Sequence, residues 1–214
     1  MTNQSQLLET LPQLLGDSLI DCEIALNEVT CWVKAQDIVH VSTLLRDDAD
    51  TRFDQLIDLC AIDYSAYGQE AGYHHDGPRY TVVYHLLSLF HNLRIRVKAN
   101  LEESNLSIAS VIEVWSGADW FEREAFDLFG IIFVDHPDLR RLLTDYGFIG
   151  HPFRKDFPLT GKVEMRYDAN QGRVIYQPVT VEPRTLVPRT IRTEVASNRL
   201  RAGPPVSKGN DGAQ

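Results

Sequence analysis

Cysteine is scarce in this chain. Cys22, Cys31 and Cys60 are the only three and none sits in a C-x-x-C spacing, which leaves too few thiolates for an iron–sulfur cluster. None of the seven histidines lies close in sequence to a cysteine, so a zinc site is not expected and the thiols read as small core residues. No run approaches the ~18 apolar residues of a membrane-spanning helix. The opening MTNQSQLLETLPQ carries Glu9 and no basic segment, so a secretory signal is not expected and the chain is expected in the cytoplasm. Also missing are a G-x-G-x-x-G turn, a P-loop and a nucleophile elbow.

What is present suffices for one well-buried core with an appendage: 214 residues, 43% of them hydrophobic. Charge is unevenly spread. Residues 1–137 hold 8 Lys+Arg against 22 Asp+Glu, whereas residues 138–214 hold 13 against 8. The net charge of -9 would repel a phosphate backbone, and the basic residues are interleaved with prolines and acids, so no nucleic-acid partner is expected. A docking surface for a protein fits the basic end better.

In chain order, the leucines of residues 3–15 predict an amphipathic helix limited or kinked by Pro12, and the alternation of residues 20–33 about Asn27 predicts a hairpin. Asp37 opens a helix, and Thr51 with Asp54 reads as a capping box ahead of a second one carrying Phe53, Leu56, Ile57 and Cys60. Residues 64–78 are glycine-rich and predict a long loop, in which His74, His75 and Asp76 read as solvated groups and not as metal ligands. Two strands follow, joined at His91 and Asn92, with Arg94, Arg96 and Lys98 on a solvent or cross-strand face. Ile108, Val111, Ile112 and Trp115 predict a helix over 107–115 with Trp115 in the core. The order argues for an α+β domain over residues 1–161, a mostly antiparallel sheet with helices on one face. Residues 162–214 alternate basic residues with prolines and predict an extended, partly disordered arm that orders on a partner.

Residues 120–161, WFEREAFDLFGIIFVDHPDLRRLLTDYGFIGHPFRKDFPLTG, concentrate charge, aromatics, glycines and prolines. Ser116 and Asp119 read as a capping box for a helix ended by Gly130, with Arg123 in reach of Asp119 and Asp127 and flanked by Glu122 and Glu124. Pro137 reads as the start of a short helix with Leu139, Leu142 and Leu143 inward and Arg140 and Arg141 exposed. Pro152 and Pro158 would hold FRKDF extended, presenting Arg154, Lys155 and Asp156 between Phe153 and Phe157 as a protein-contact signature. A metal or hydrolytic site could be assembled from His136, Asp138, His151, Asp156, Arg123 and the acids of EREAFD. Both histidines precede a proline, however, and read as structural corners.

Glu122-Arg123-Glu124, Asp127-Leu128-Phe129, His136, Arg140, Leu142 and Leu143, followed by TDYGFIGHPFRKDFPLTG, resemble the signature of the C subunit, the 30 kDa type, of respiratory complex I. The likeness runs from about residue 30 to 190. It implies a non-cofactor-bearing subunit of the peripheral arm of a proton-translocating NADH:quinone oxidoreductase, on the cytoplasmic side of a bacterial inner membrane. The implied partners are the D subunit as main contact and the B and I subunits, with FMN and iron–sulfur clusters held by partner subunits. The length implies the separate C subunit and not a C–D fusion. Glu122, Arg123, Glu124, Asp127, His136, Arg140, Arg154, Lys155 and Asp156 are then signature or interface residues, with no catalytic, cofactor-binding or metal role. Accessory subunits of membrane-bound hydrogenases and photosynthetic quinone oxidoreductases share the type, and a standalone metal hydrolase on His136 and His151 is the remaining alternative.

Overall fold

A computed structural model describes residues 3–67, 75 and 77–182. The chain begins with α1 (Gln4–Leu15), capped by Asn3, whose side chain accepts from the Gln6 N–H while the Gln6 side chain returns to the Asn3 N–H. Pro12 is carried inside this helix. β1 (Leu19–Ala25) and β2 (Glu28–Val33) form the expected hairpin, with both Leu26 and Asn27 left-handed at the turn. After α2 (Ile38–Asp47) come β3 (Gln55–Asp63), β4 (Tyr80–Ser88) and β5 (Leu93–Leu101). The five strands make one sheet in the order β1-β2-β5-β4-β3, antiparallel throughout except for the parallel β2–β5 pair.

Val29, Cys31 and Val33, then Ile95, Val97 and Ala99, then Tyr84 and Leu86 are register partners in successive strands, and all are buried. They share one core cluster with Leu7, Leu11 and Leu15 of α1, Ile38, Val41 and Leu45 of α2, and residues of the helix described next. The expectation of a mostly antiparallel α+β sheet therefore holds. On the other sheet face the basic row is paired across strands: Arg96 donates to Glu28 (2.5 Å) and to the Thr30 hydroxyl (3.1 Å), and the Lys98 ammonium stands 5.0 Å from the Trp32 ring centre.

Two expected helices are strands. Residues 55–63 are β3, and the reason is a bulge between Leu56 and Asp58. The extra residue turns both Leu56 and Leu59 toward the core, while Ile57 and Cys60 of the expected helical stripe stay half-buried. Thr51 is no cap for a following helix; its hydroxyl donates back to the Leu45 carbonyl (2.9 Å), and the Phe53 N–H does the same (2.9 Å), finishing α2. The second case is 107–115. Its first residues form β6 (Ser107–Ala109), parallel to β7 (Ile132–Val134), and a turn closed by Val114 and Trp115 N–H on the Val111 carbonyl follows. Trp115 is in the core as expected, its indole N–H donating to the Phe53 carbonyl (3.1 Å).

Between β6 and β7 runs α3 (Ala118–Phe129). Gly117 occupies its N-cap position without a side-chain cap bond, so the Ser116–Asp119 capping box does not form. Gly130 ends the helix as expected, left-handed at φ 76° with its N–H on the Phe126 carbonyl. Residues 163–178 are a hairpin, β8 (Val163–Asp168) with β9 (Arg173–Pro178), which corrects the reading of this stretch as an extended arm. From residue 183 the expected arm lies outside the described residues, as do His74 and Asp76.

Candidate docking site

Residues 131–161 contain one short strand and little else that is regular, yet their path is fixed by buried carboxylates. The first is Asp127, near the end of α3 and buried. One of its oxygens accepts from three consecutive main-chain N–H groups, Leu142 (3.0 Å), Leu143 (2.8 Å) and Thr144 (2.8 Å). The other takes the Arg141 guanidinium (2.9 Å) and the Thr144 hydroxyl. Burial alone would raise this carboxyl, but the Thr144, Leu143 and Leu142 donors outweigh it and hold it at about 2. The expected helix after Pro137 is absent because its N–H groups converge on a carboxylate instead of on carbonyls four residues back. Leu143 is consequently exposed, not inward, and Arg141 is part-buried, not exposed.

The second carboxylate is Glu122, fully buried, which accepts from the Ser110 hydroxyl (2.6 Å) and the Val111 N–H (2.8 Å) and so ties the turn after β6 to α3. Burial raises its pKa against the opposing pull of those two donors. His136 is enclosed beside it, 4.0 Å from the Glu122 carboxylate. The imidazole Nδ1 accepts from the Asp138 N–H (3.0 Å), so in the neutral ring Nε2 carries the proton toward the Asp119 main-chain oxygen at 3.3 Å.

The third is Asp63 at the end of β3, which sequence patterning gave no reason to single out. Arg79 grips it with two parallel bonds of 3.0 Å, the Lys155 N–H (2.9 Å) and Ser65 N–H (2.9 Å) complete it, and the same guanidinium reaches Asp156 and Glu103 at 2.8 Å each. Burial opposes ionisation here too, but the Arg79, Lys155 and Ser65 donors hold the carboxyl far below the usual carboxylate range. Arg79 sits beside the first residue of β4, whose register partner is Asp63; that long-range pairing is the one signal that could have found it.

Residues 151–154 close the far end of α3. Its last carbonyls would be orphans. His151 Nδ1 donates to the Asp127 carbonyl (2.9 Å), the Phe153 N–H to Leu128 (3.1 Å) and Arg154 Nε to Phe129 (2.6 Å). The Arg154 cation also opposes the negative end of the helix dipole. FRKDF is therefore a run of turns, closed by Arg154 on His151 and Phe157 on Arg154, and not an extended segment. A Cβ on Gly130 would lie 2.5 Å from the Arg154 guanidinium and 2.6 Å from the His151 ring, so this glycine is needed for space as well as for conformation.

The signature residues thus divide. Glu122 meets His136, and at the other end of α3 the Asp127 carbonyl meets His151 while Arg154 caps Phe129. Arg123 is buried but does not gather carboxylates: its Nε donates to the Arg140 carbonyl (3.3 Å), its guanidinium lies 5.9 Å from the Trp120 ring centre, and among the described residues it enters no ion pair. Its expected partner Asp127 has been taken by Arg141. Arg140 points outward to Asp138, Lys155 is exposed, and Glu124 lies half-buried on the β3 side of the helix.

With the polar groups turned inward, apolar ones face out. Tyr146, Ile149, Phe153 and Leu159 are 96%, 84%, 57% and 105% exposed. Val163, Met165 and Tyr167 pair with Pro178, Tyr176 and Val174 across the β8–β9 ribbon, giving it one apolar, exposed face. A groove of about 590 Å³ runs between that ribbon and Phe148, Ile149 and Phe157, and the Tyr176 hydroxyl donates to Asp145 at its edge. Contiguous exposed apolar surface of this kind marks a contact with another protein.

Fold and surface together define an α+β subunit built to be covered. Residues 31–163 match the family described as respiratory-chain NADH dehydrogenase, 30 Kd subunit. The chain is 56% identical over 196 residues to the C subunit of NADH-quinone oxidoreductase from Ralstonia nicotianae, covering 91% of this chain and 96% of that one. To the same subunit of Thiobacillus denitrificans it is 57% identical over 185 residues, covering 86% and 91%. Among solved structures, the trypsin-resistant fragment (1–134) of Nqo5 superposes with a TM-score of 0.50 at 26% identity, over 62% of this chain and 98% of the fragment. A chain of an archaeal membrane-bound sulfane sulfur reductase shares the fold, with a TM-score of 0.52 at 18% identity over 71% of this chain and 85% of that one. The chain belongs to the 30 kDa subunit family of respiratory complex I, and its expected membership is confirmed.

Proposed function

We propose that this chain is a scaffold of the peripheral arm, packed mainly on the D subunit and near the B and I subunits, with no catalytic centre of its own. FMN and the iron–sulfur clusters that carry electrons from NADH to quinone sit in partner subunits, and proton translocation is coupled to that flow elsewhere in the complex. The chain reaches the cytoplasmic side of the inner membrane through those partners; no helix among its described residues is long and apolar enough to cross a membrane.

The observation that carries the reading is the division within residues 120–161, where the buried carboxylates and both histidines are spent on closing the segment while large apolar side chains face outward. A hydrolase on His136 and His151 is disfavoured, since the two rings are held at opposite ends of α3. The test is Ile149→Asp and Met165→Asp, at exposed positions, in the genomic copy. The purified variants should melt like the parent chain while native gels of source membranes lose the assembled complex, with NADH:quinone activity falling in proportion. A fully assembled complex with slowed electron transfer would point to a direct role and overturn the scaffold reading.

A further inference from the structure

On the sheet face away from the helices, three metal-ligating side chains meet that sequence spacing keeps apart. Asp58 and His85 are register partners on β3 and β4, and Cys60 lies two residues beyond Asp58 on the same side of β3. The ligand atoms of the three all lie within 4.8 Å of one another. Each is half-buried, and none makes a side-chain hydrogen bond among the described residues. Glu124 of α3 lines the same depression as Asp58 and Cys60, so a second carboxylate stands at the rim. The nearby cation, Arg96, is drawn to the other side by Glu28 and Thr30.

We propose that Asp58, Cys60 and His85 form a binding site for one zinc-class divalent ion, with water completing its shell. One thiolate, one imidazole and carboxylate oxygens are a donor set that selects borderline-soft ions over magnesium or calcium. The Cys60 thiol gives its proton to water when the ion binds, and His85 enters as the neutral ring. The ion would close by about an ångström a cluster that is now somewhat wider than a tetrahedral shell, clamping the edge strand β3 to β4. Separation along the chain hides such a site, because Cys60 and His85 come together only across a strand pair. This site stands independently of the scaffold reading.

The experiment titrates Co²⁺ into the purified full-length chain under reducing conditions. Saturation at one equivalent, with a thiolate-to-cobalt charge-transfer band that Zn²⁺ abolishes, is the expected result. Cys60→Ser should remove the band, and His85→Ala and Asp58→Asn should each weaken binding about 10–100-fold. Circular dichroism and the melting temperature of the metal-free variants, matching the parent, would establish that each is folded. A band that survives in Cys60→Ser would assign the thiolate to Cys22 or Cys31 and overturn the site. Absence of saturable binding by the folded parent chain, or binding that His85→Ala leaves unchanged, would do the same.

Discussion

The sheet and the segment that wraps α3 are held by opposite means. In the sheet and its first two helices, stability comes from apolar faces: Leu7, Leu11, Val41, Ile95 and Val97 are removed from water and the pattern of each element follows. Along residues 131–161 there is little regular structure, and Asp127 and Asp63 gather main-chain donors from it, those of residues 142–144 and of Lys155, that helices or strands would otherwise employ. A buried anion surrounded by main-chain N–H groups fixes an irregular path as firmly as a helix fixes a regular one, and it leaves the large side chains free to face outward. The cost is intolerance of small changes: an apolar layer loses contacts in proportion to what is removed, while a nest fails when its one anion goes.

The largest expected effect is that of Asp127→Ala, which leaves three N–H groups without their acceptor and the Arg141 guanidinium without its counter-charge, and should destabilise the isolated chain by about 3–5 kcal/mol. Leu11→Ala in the apolar half, at about 2–5 kcal/mol, provides the yardstick in the same urea titration. If Asp127→Ala cost under ~1 kcal/mol, small against the 3–5 expected, the contrast between the two regions would be broken. Next comes Gly130→Ala, which adds strain at φ 76° to a collision with Arg154 and His151; about 1–3 kcal/mol should be lost, with hydrogen exchange accelerating at the end of α3 first.

Acid sharpens the comparison further. The folded pKa of Asp127, about 2, lies below the unfolded value of about 3.9, so its contribution is complete above pH ~4 and is lost as pH falls toward 2. Glu122 has the opposite sign: its raised pKa favours the protonated form, a contribution present below the unfolded pKa and lost as pH rises through the folded one. Asp127→Asn should therefore flatten the acid limb of the stability profile, and Glu122→Gln should steepen it; identical acid limbs in all three proteins would count against the carboxylate account. The smallest effect belongs to Arg140→Ala. Its pair with Asp138 is exposed, and thermal melts should scarcely separate the variant from the parent.

Legibility in the sequence divides along the same line. α1, the first hairpin, β4, β5 and the end of α3 at Gly130 could be read because apolar period and turn chemistry agree locally. β3 could not, since Phe53, Leu56, Ile57 and Cys60 fall at helical spacing and the bulge between Leu56 and Asp58 breaks the alternation that would mark a strand. The residues of the docking segment were visible as a cluster, and the family likeness was carried by them. Their partners were not visible: Asp127 chooses Arg141 over Arg123 through a loop fourteen residues on, and Lys155 reaches Asp63 ninety-two residues back. Such pairings have no period, so no local pattern records them.

The position of β5 has a consequence for synthesis. It is the central strand, pairing in parallel with β2 on one side and antiparallel with β4 on the other, and it is the last of the five to be made. Until Leu101 exists the hairpin from Leu19 to Val33 has α1 against it but no strand to join, and at about 5–20 residues per second its open edge waits on the order of seconds in the growing chain. The half-made protein is thus two unconnected ribbons with open edges, and the interval before β5 arrives is when a nascent-chain chaperone or a mispairing neighbour has its opportunity.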